Sequence, residues 1–205
     1  MESLFFATFG YLSGSILFGY WIPKVLKKVD ICAVSKDGNP GTANAFLYAG
    51  AGCGILVLLC DLAKGFLPVF FAVHFFDPHS PLFSVILAAP VLGHAWPIFH
   101  RGKRGGKGIA VSFGALLGLF PDVSFAFFLA FWYILFSIVW IIQPHCLRTA
   151  VTYIAWTINI GVSEKSRYML PGILLIALIV IQKHMDSLRE LEKGEGQIRF
   201  LFRRS

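Results

Sequence analysis

The most constraining feature of this sequence is a succession of apolar runs separated by short polar connections. The runs lie at residues 4–22, 45–75, 82–99, 109–120, 123–143, 149–162 and 168–182. A helix of about 20 apolar residues spans a bilayer, because it satisfies its backbone hydrogen bonds internally. The pattern predicts an all-α, polytopic membrane protein with about seven transmembrane helices. Because three of the runs have only about 15 residues or fewer, a protein with five spans is the alternative.

The composition also favours a membrane protein over a soluble one. Hydrophobic residues make up 57% of the chain and charged residues only 14%, whereas a soluble domain carries about 25% charged residues. The formal net charge of +7 would suit a nucleic acid only if the basic residues gathered on one face. The four cysteines have no CxxC spacing and the histidines have no metal-ligand spacing, so no disulfide framework or metal site is predicted.

The basic residues are unevenly divided between two sets of connections. Fifteen of the 18 Lys and Arg residues lie at 23–44, 100–108, 144–148 and in the segment after residue 182. Lys and Arg remain on the cytoplasmic side during insertion, so the amino terminus is predicted outside and the carboxyl terminus in the cytoplasm. This sidedness explains the net charge without a nucleic-acid partner. We expect one transmembrane domain at 1–184 and a basic tail at 185–205 in the cytoplasm or on the anionic inner leaflet.

The cytoplasmic connection at 101–108, Arg-Gly-Lys-Arg-Gly-Gly-Lys-Gly, contains more glycine than a turn requires. Glycines let the backbone approach a ligand, and the apolar helix that begins at Ile109 adds partial positive charge at its amino terminus. Lys107 supplies a full charge, so the segment predicts a phosphate site. The alternative is a flexible basic loop without a ligand. The candidate phosphate contacts are Arg104, Gly105, Gly106, Lys107 and Gly108.

A second polar connection, Asp-Gly-Asn-Pro-Gly-Thr-Ala-Asn at 37–44, leads into the second apolar run. Its Gly-Asn-Pro-Gly segment is typical of a tight turn. The aspartate, the threonine and the two asparagines can cap the following helix or orient a polyol through hydrogen bonds. The candidate site residues here are Asp37, Gly38, Asn39 and Asn44.

Four ionisable residues lie within or at the end of apolar runs. Asp61 and Lys64 are three residues apart on one helical face, so they can form an ion pair. Such a pair within a membrane span either takes part in the protein's activity or holds helices together. His94 precedes the basic loop, and His184 follows the last run. Either histidine could bind a phosphate or act as a base, although a structural role is the commoner one for a single histidine.

These segments together resemble the three ordered motifs of the acyl-phosphate-dependent glycerol-3-phosphate acyltransferases. The resemblance covers nearly the whole chain and is strongest between residues 11 and 114. It is carried by Ser-Gly-Ser-Ile-Leu-Phe-Gly at 13–19, Gly-Asn-Pro-Gly at 38–41 with Asn44, Asp61 with Lys64, Gly93 with His94, and Gly-Gly-Lys-Gly at 105–108. Supporting roles are implied for Ser13, Ser15, Asn44, Asp61, Lys64 and His94.

The resemblance implies a seven-span enzyme of the bacterial inner membrane whose active site faces the cytoplasm. Such an enzyme transfers a fatty acyl group from acyl phosphate to the 1-hydroxyl of glycerol 3-phosphate, and it releases lysophosphatidate and phosphate. This is the first step of phospholipid synthesis, and no cofactor or metal is implied. Lys107 and its glycines would hold phosphate, Asn39 would lie in the site, and Thr149 and His184 match a serine and a histidine that the family uses.

Four positions depart from the family pattern. The family usually has serine, proline, arginine and asparagine where this chain has Asp37, Leu17, Leu47 and Ser187. Losing an arginine removes a bidentate clamp for a dianionic acceptor, and an aspartate nearby adds repulsion. Lys103, Arg104 and Arg148 could compensate. The alternative is a relative that acts on another polyol or phosphorylated headgroup.

The sequence contains no Ser-His-Asp or Cys-His arrangement, so direct transfer without an acyl-enzyme is predicted. In this mechanism Asn39, Thr149 and Asp37 hold the acceptor, and Asp37, His184 or a substrate phosphate takes the proton. Two alternatives from other classes stay open: a protein that translocates an anion or a lipid, and a non-catalytic partner protein. Translocation predicts charges along several spans at midplane, where only Asp61 and Lys64 qualify.

Overall fold

The computed structural model describes residues 2–100, 105–164 and 166–194. Over these residues the chain folds into ten α-helices and no β-strand. The helices are α1 (Glu2–Gly14), α2 (Phe18–Lys27), α3 (Ile31–Val34), α4 (Thr42–Ala49), α5 (Ala51–Ala72), α6 (Phe83–Ala95), α7 (Ile109–Leu117), α8 (Ser124–Ile134), α9 (His145–Val162) and α10 (Leu170–Gly194). The predicted all-α class is therefore confirmed. Helix α10 continues past residue 185, where the tail is predicted to begin, and residues 195–205 of that tail lie outside the described residues.

Several helical segments have the length and composition of membrane spans. Within the described residues, four segments are long and apolar enough: Glu2–Lys27, Ala51–Ala72, Phe83–His100 and Arg167–Asp186. A shorter apolar segment, Ser124–Val139, combines α8 with a π-helical turn. Helix α7 has nine residues, which at 1.5 Å per residue give a length of about 14 Å. It is too short to span a bilayer by itself.

The first apolar run is two helices rather than one. The chain leaves helical geometry after Gly14 and re-enters it at Phe18. The carbonyl of Ile16, which the break frees, accepts a hydrogen bond from the Lys64 ammonium at 2.7 Å. A broken helix is tolerated at membrane depth where other groups of the protein satisfy the exposed backbone. Hydropathy alone does not predict this break, because the run remains apolar throughout.

Helix α6 lies at the centre of the bundle, and most of its residues are buried. It packs against α1, α5, α7 and α10. Two glycines allow α1 and α6 to approach closely: a Cβ at Gly14 would overlap the carbonyl of Pro90, and a Cβ at Gly93 would overlap the carbonyl of Tyr11. The outer surface carries exposed large apolar side chains, as expected of a surface that faces lipid; they include Leu4, Phe127, Ile138, Trp140 and Leu178.

We expect Gly93→Ala to destabilise the bundle. The added methyl group would press on the Tyr11 carbonyl and separate α1 from α6, and overpacking of this kind costs about 1–3 kcal/mol. Gly52→Ala is the matched control, because a Cβ at Gly52 meets nothing within 4 Å. Thermal unfolding in detergent should show a lower midpoint for Gly93→Ala only. Equal midpoints for the two variants would contradict the close approach of α1 and α6.

Candidate active site

A cavity of about 680 Å³ lies where the loop before α4 meets the loop before α7. The start of α9 and the middle part of α10 complete its wall, through His145 and His184. Its apolar part is formed by α5 and α7, through Leu58, Leu62, Phe113 and Leu117. Its polar part contains Asp37, Asn39, Thr42, Asn44, Asp61, His94, Lys107, His145 and His184. The cavity can therefore accept a molecule with one apolar and one polar end.

Lys107 and Asp37 form an ion pair in the polar wall. The Lys107 Nζ lies 2.8 Å from Asp37 Oδ2. Asp37 Oδ1 accepts hydrogen bonds from Asn44 Nδ2 at 2.8 Å and from the Asn39 amide at 3.3 Å. Burial by itself raises the pKa of the Asp37 carboxyl, but the bonds to Lys107, Asn44 and Asn39 outweigh it and hold that pKa below its usual range. Asp37 is therefore ionised at neutral pH.

The glycine-rich loop is folded tightly against the end of α6. The Gly106 amide donates to the His94 carbonyl at 2.9 Å, and a Cβ at Gly105 would overlap the carbonyl of Ala95. These glycines are required because side chains there would collide with α6. The Gly106 amide is consequently used within the protein and does not point at a ligand.

The amino terminus of α7 offers backbone amides to the cavity. Gly108 precedes the helix with φ +84°, a left-handed conformation that favours glycine. In the described part of the chain, no side chain caps this end of α7. The first amides of an α-helix have no intrahelical acceptor, and Ile109 and Ala110 from this first turn line the cavity beside Lys107. The charge of Lys107 and the helix terminus together provide an anion site.

A buried cluster centred on Lys64 lies beneath the loops. The Lys64 Nζ lies 2.8 Å from Asp61 Oδ1, and both side chains are 2% exposed. The same ammonium donates to the Ile16 carbonyl and, at 2.8 Å, to His94 Nδ1. Thr42 Oγ1 lies 3.5 Å from Asp61 Oδ2. The cluster therefore links α5 to the break between α1 and α2, to α6 and to α4.

The Lys64 contact determines the tautomer of His94. An ammonium group has no lone pair, so His94 Nδ1 must accept and the neutral ring carries its proton on Nε2. A Cβ at Gly106 would overlap this Nε2 atom, which places the N–H beside the glycine loop. His94 is therefore a hydrogen-bond donor next to the anion site.

His184 presents the opposite arrangement. Its Nδ1 donates to the Val180 carbonyl at 2.8 Å, because a carbonyl oxygen can only accept. The Nε2 atom then carries a lone pair, and it is buried without a hydrogen-bond partner among the described residues. The ring lies 5.7 Å from the ring of His145, in an edge-to-face arrangement. His184 is thus a proton acceptor in the cavity wall.

The structure brings most of the predicted site residues together. Asp37, Asn39, Asn44, Asp61, His94, Lys107, Gly108 and His184 all line the cavity, and Lys64 contacts two of them. Asn39 Oδ1 is buried and has no partner in the described part of the chain, so it can accept from a substrate hydroxyl. Arg104 lies outside the described residues.

Six other predicted residues do not line the cavity, and two of them are Gly105 and Gly106 of the glycine-rich loop. Thr149 is buried and its hydroxyl donates to the His145 carbonyl at 3.0 Å. Gly38 lines a neighbouring surface pocket. The hydroxyls of Ser13 and Ser15 donate to the carbonyls of Lys64, at 3.1 Å, and Tyr11, at 2.8 Å.

Sequence reasoning did not name His145 as a site residue, although its side chain lies in the cavity wall. His145 lies in a connection already assigned to the cytoplasmic side, which is the one signal that could have identified it. Thr42 lies within the 37–44 segment, but only the packing of α4 on α5 directs it towards Asp61.

The fold and the site together define a polytopic α-helical membrane protein whose partly apolar cavity contains an anion site in its wall. A sequence model of the family Glycerol-3-phosphate acyltransferase matches residues 4–194. The chain is 32% identical over 205 residues to Glycerol-3-phosphate acyltransferase 2 of Thermotoga maritima, and the match covers 97% of each protein.

Two solved structures have the same fold. One is a crystal structure of PlsY (YgiH), an integral membrane glycerol 3-phosphate acyltransferase, in its glycerol 3-phosphate form. It matches with a TM-score of 0.79 and 32% identity, over 95% of this chain and 94% of that chain. The lysophosphatidic acid form matches with a TM-score of 0.77 and 32% identity, over 95% of this chain and 93% of that chain.

The chain therefore belongs to the glycerol-3-phosphate acyltransferase family, as its motifs predicted. It is a multi-pass integral membrane enzyme of phospholipid synthesis, and the predicted acyltransferase class is confirmed.

We expect Lys64→Met to destabilise the protein strongly. The substitution leaves the buried Asp61 carboxylate without its counter-ion, and breaking a buried pair in this way costs about 3–5 kcal/mol. The double variant Asp61→Leu with Lys64→Met should recover much of the loss, because it removes both buried charges. Thermal unfolding in detergent measures both effects. A double variant no more stable than Lys64→Met would show that the unpaired charge is not the cause.

Proposed function

We propose that this protein transfers a fatty acyl group from acyl phosphate to the 1-hydroxyl of glycerol 3-phosphate, forming lysophosphatidate and phosphate. The observation that carries the proposal is that Lys107 and the start of α7, which form the anion site, share one cavity with an apolar wall formed by α5 and α7. Family membership and the substrate and product forms of the homologous PlsY support the acceptor and the product.

The donor fits the cavity with its phosphate at the anion site. Lys107, the amides of Ile109 and Ala110, and the Nε2–H of His94 are the donors that would hold it. The acyl chain would lie along the apolar wall between α5 and α7. Negative charge develops on the phosphate as it leaves, so cationic and amide donors at this point lower the barrier.

The acceptor hydroxyl would approach the acyl carbon from the side of Asn39 and His184. Its oxygen forms a bond to the acyl carbon, and the bond from that carbon to the phosphate oxygen breaks. The hydroxyl proton passes to His184 Nε2, which has a lone pair and no partner among the described residues. Asp37 is less suited as the base, because its carboxylate already accepts from Lys107, Asn44 and Asn39.

Thr149 would act on the site through the backbone. Its hydroxyl donates to the His145 carbonyl in the first turn of α9. This bond fixes the turn that carries the His145 ring into the cavity wall. We assign Thr149 a positioning role for this reason.

The arrangement of the loops supports seven spans with the amino terminus outside. The segments after α2 and after α6, the first residue of α9 and the middle of α10 all line the same cavity. Between successive segments we assign the chain one passage out and back, along α5 and α6, α7 and α8, and α9 and α10, with the nine-residue α7 crossing only part of the bilayer. These six crossings follow the single crossing of α1 and α2. Because Lys and Arg concentrate in the same segments, we assign this end, and the active site, to the cytoplasmic face of a bacterial inner membrane.

Lys107→Met is expected to reduce acyl transfer by about 100-fold or more, because it removes the charge that stabilises the departing phosphate. The measurement is phosphate release and product mass for the purified protein in detergent, given acyl phosphate and glycerol 3-phosphate. Lys27→Met is the matched control, since Lys27 is exposed near the end of α2.

Two results of this assay would contradict the proposal. Full activity of Lys107→Met would remove the phosphate-site assignment. A panel of free and phosphorylated polyols completes the test: transfer to a free polyol in preference to glycerol 3-phosphate would replace the proposed acceptor, and absence of phosphate release with every acceptor would favour a non-catalytic protein.

His184→Ala is expected to lower kcat by about 10²–10⁴-fold with a smaller change in KM, as for loss of a general base. His79→Ala is the control, because that side chain is exposed and stacks on Tyr168 away from the cavity. Initial rates over a range of glycerol 3-phosphate concentrations separate kcat from KM. If His184→Ala retains the wild-type kcat, a substrate phosphate is the proton acceptor instead.

A further inference from the structure

The Asp37–Lys107 ion pair lies between two cavities. Besides the 680 Å³ cavity, a second cavity of about 460 Å³ is lined by Lys36, Leu47, Tyr48, Pro144 and Cys146. Asp37, Asn44, Lys107 and His145 belong to the walls of both cavities. A polar substrate that occupies the second cavity and reaches into the first must therefore pass along the Asp37 carboxylate.

The ion pair also determines what an incoming phosphate meets. Lys107 Nζ and Asp37 Oδ2 are 2.8 Å apart and both residues line the second cavity, so an acceptor phosphate that binds Lys107 from this cavity comes within a few ångströms of a carboxylate oxygen. The donor phosphate, in the proposed function, binds on the other side of Lys107, at the start of α7, which does not line the second cavity. An ionised carboxylate can only accept hydrogen bonds. A dianionic phosphate monoester offers no donor in return, and the two groups repel each other.

A monoprotonated phosphate monoester behaves differently at this position. Its P–O–H group donates to the carboxylate, and a bond between a hydroxyl and an ionised acceptor is short and strong. The remaining negative charge can still bind Lys107. Asp37 therefore repels the dianionic form of the acceptor's phosphate and forms a hydrogen bond with the monoprotonated form.

We propose that Asp37 makes the acceptor site select the monoprotonated form of a phosphate monoester over the dianion. This inference rests on the proposed function, in which glycerol 3-phosphate is the acceptor. It makes Asp37 a specificity-determining residue that binds substrate rather than the base of the reaction.

Other groups near Asp37 also titrate or carry charge, and the test must separate them from the ligand. Among the described residues they come from the loop before α4, from α4, from the loop before α7, from α9 and from α10, and they are Lys36, Tyr48, Lys107, His145 and His184. Burial and the nearby charge of Arg148 lower the pKa of His145 from its usual value. A group of the protein that changes charge between pH 6 and pH 8 would give a pH profile of its own. A profile that follows the ligand's pKa instead of the protein's distinguishes the two causes.

The first measurement is the KM of the wild-type enzyme for glycerol 3-phosphate between pH 6 and pH 8. If only the monoanion binds, KM rises about 50-fold over this range, because the second pKa of a phosphate monoester is about 6. The KM for acyl phosphate is measured in the same buffers and should not follow this curve. A constant KM for glycerol 3-phosphate would overturn the inference.

The second measurement uses the phosphonate isostere of glycerol 3-phosphate, whose second pKa is higher than that of the ester. The rise in KM should move to higher pH with this ligand. If ester and phosphonate give the same profile, the titrating group belongs to the protein and the inference fails. This comparison needs only the wild-type enzyme, so it stands even if variants of Asp37 do not fold.

Variants provide the third measurement. Asp37→Asn keeps the shape of the side chain and removes its charge, so the dependence of KM on pH should fall from about 50-fold to a few-fold at most. Asp30→Asn is the matched control, since Asp30 lies in the same connection but bonds the Cys32 amide instead of Lys107. An unchanged profile in Asp37→Asn would overturn the assignment.

The inference and the proposed function fail in different ways. If the wild-type enzyme forms no lysophosphatidate from acyl phosphate and glycerol 3-phosphate at any pH, the proposed function fails. If it forms lysophosphatidate with a KM that does not vary with pH, only the selection by Asp37 fails.

Discussion

The buried ammonium of Lys64 is the interaction on which the rest of the site depends. It compensates the Asp61 carboxylate, bonds the carbonyl that the break after α1 exposes, and fixes the ring of His94. Removed from water, such a charge is stable only when every donor finds an acceptor. The three acceptors come from three separate helical segments. One side chain therefore holds the broken first helix, α5 and α6 in one arrangement.

The histidines show how a single hydrogen bond to one ring nitrogen assigns the chemical role of the other. The Lys64 ammonium makes His94 a donor at the glycine loop, whereas the carbonyl of Val180 makes His184 an acceptor in the cavity wall. A leaving phosphate needs donors, and an attacking hydroxyl needs an acceptor. The same residue type thus supplies both requirements, because each ring is bonded through its other nitrogen.

The sequence predicts the helical class and the two polar loops well, because hydropathy and glycine content are local properties. It identifies Lys107, Asp37, Asn39 and His184 as candidates, and all four line the cavity. Its account of the glycine loop was incomplete. The Gly106 amide bonds α6, and the amides next to the cavity belong to the first turn of α7. Which backbone groups stay free depends on packing between helices that are distant in the sequence.

The sequence by itself determined that this chain crosses a membrane, that its positive charge gathers in one set of connections, and that its motifs are those of an acyltransferase family. These properties follow from residue type and order. Only the tertiary structure decided that Asp37 pairs with Lys107, that Thr149 turns towards the backbone, and that His145 enters the wall. The physical reason is that hydrogen bonds and ion pairs act over about 3 Å, and only folding brings residues from different helices to that distance.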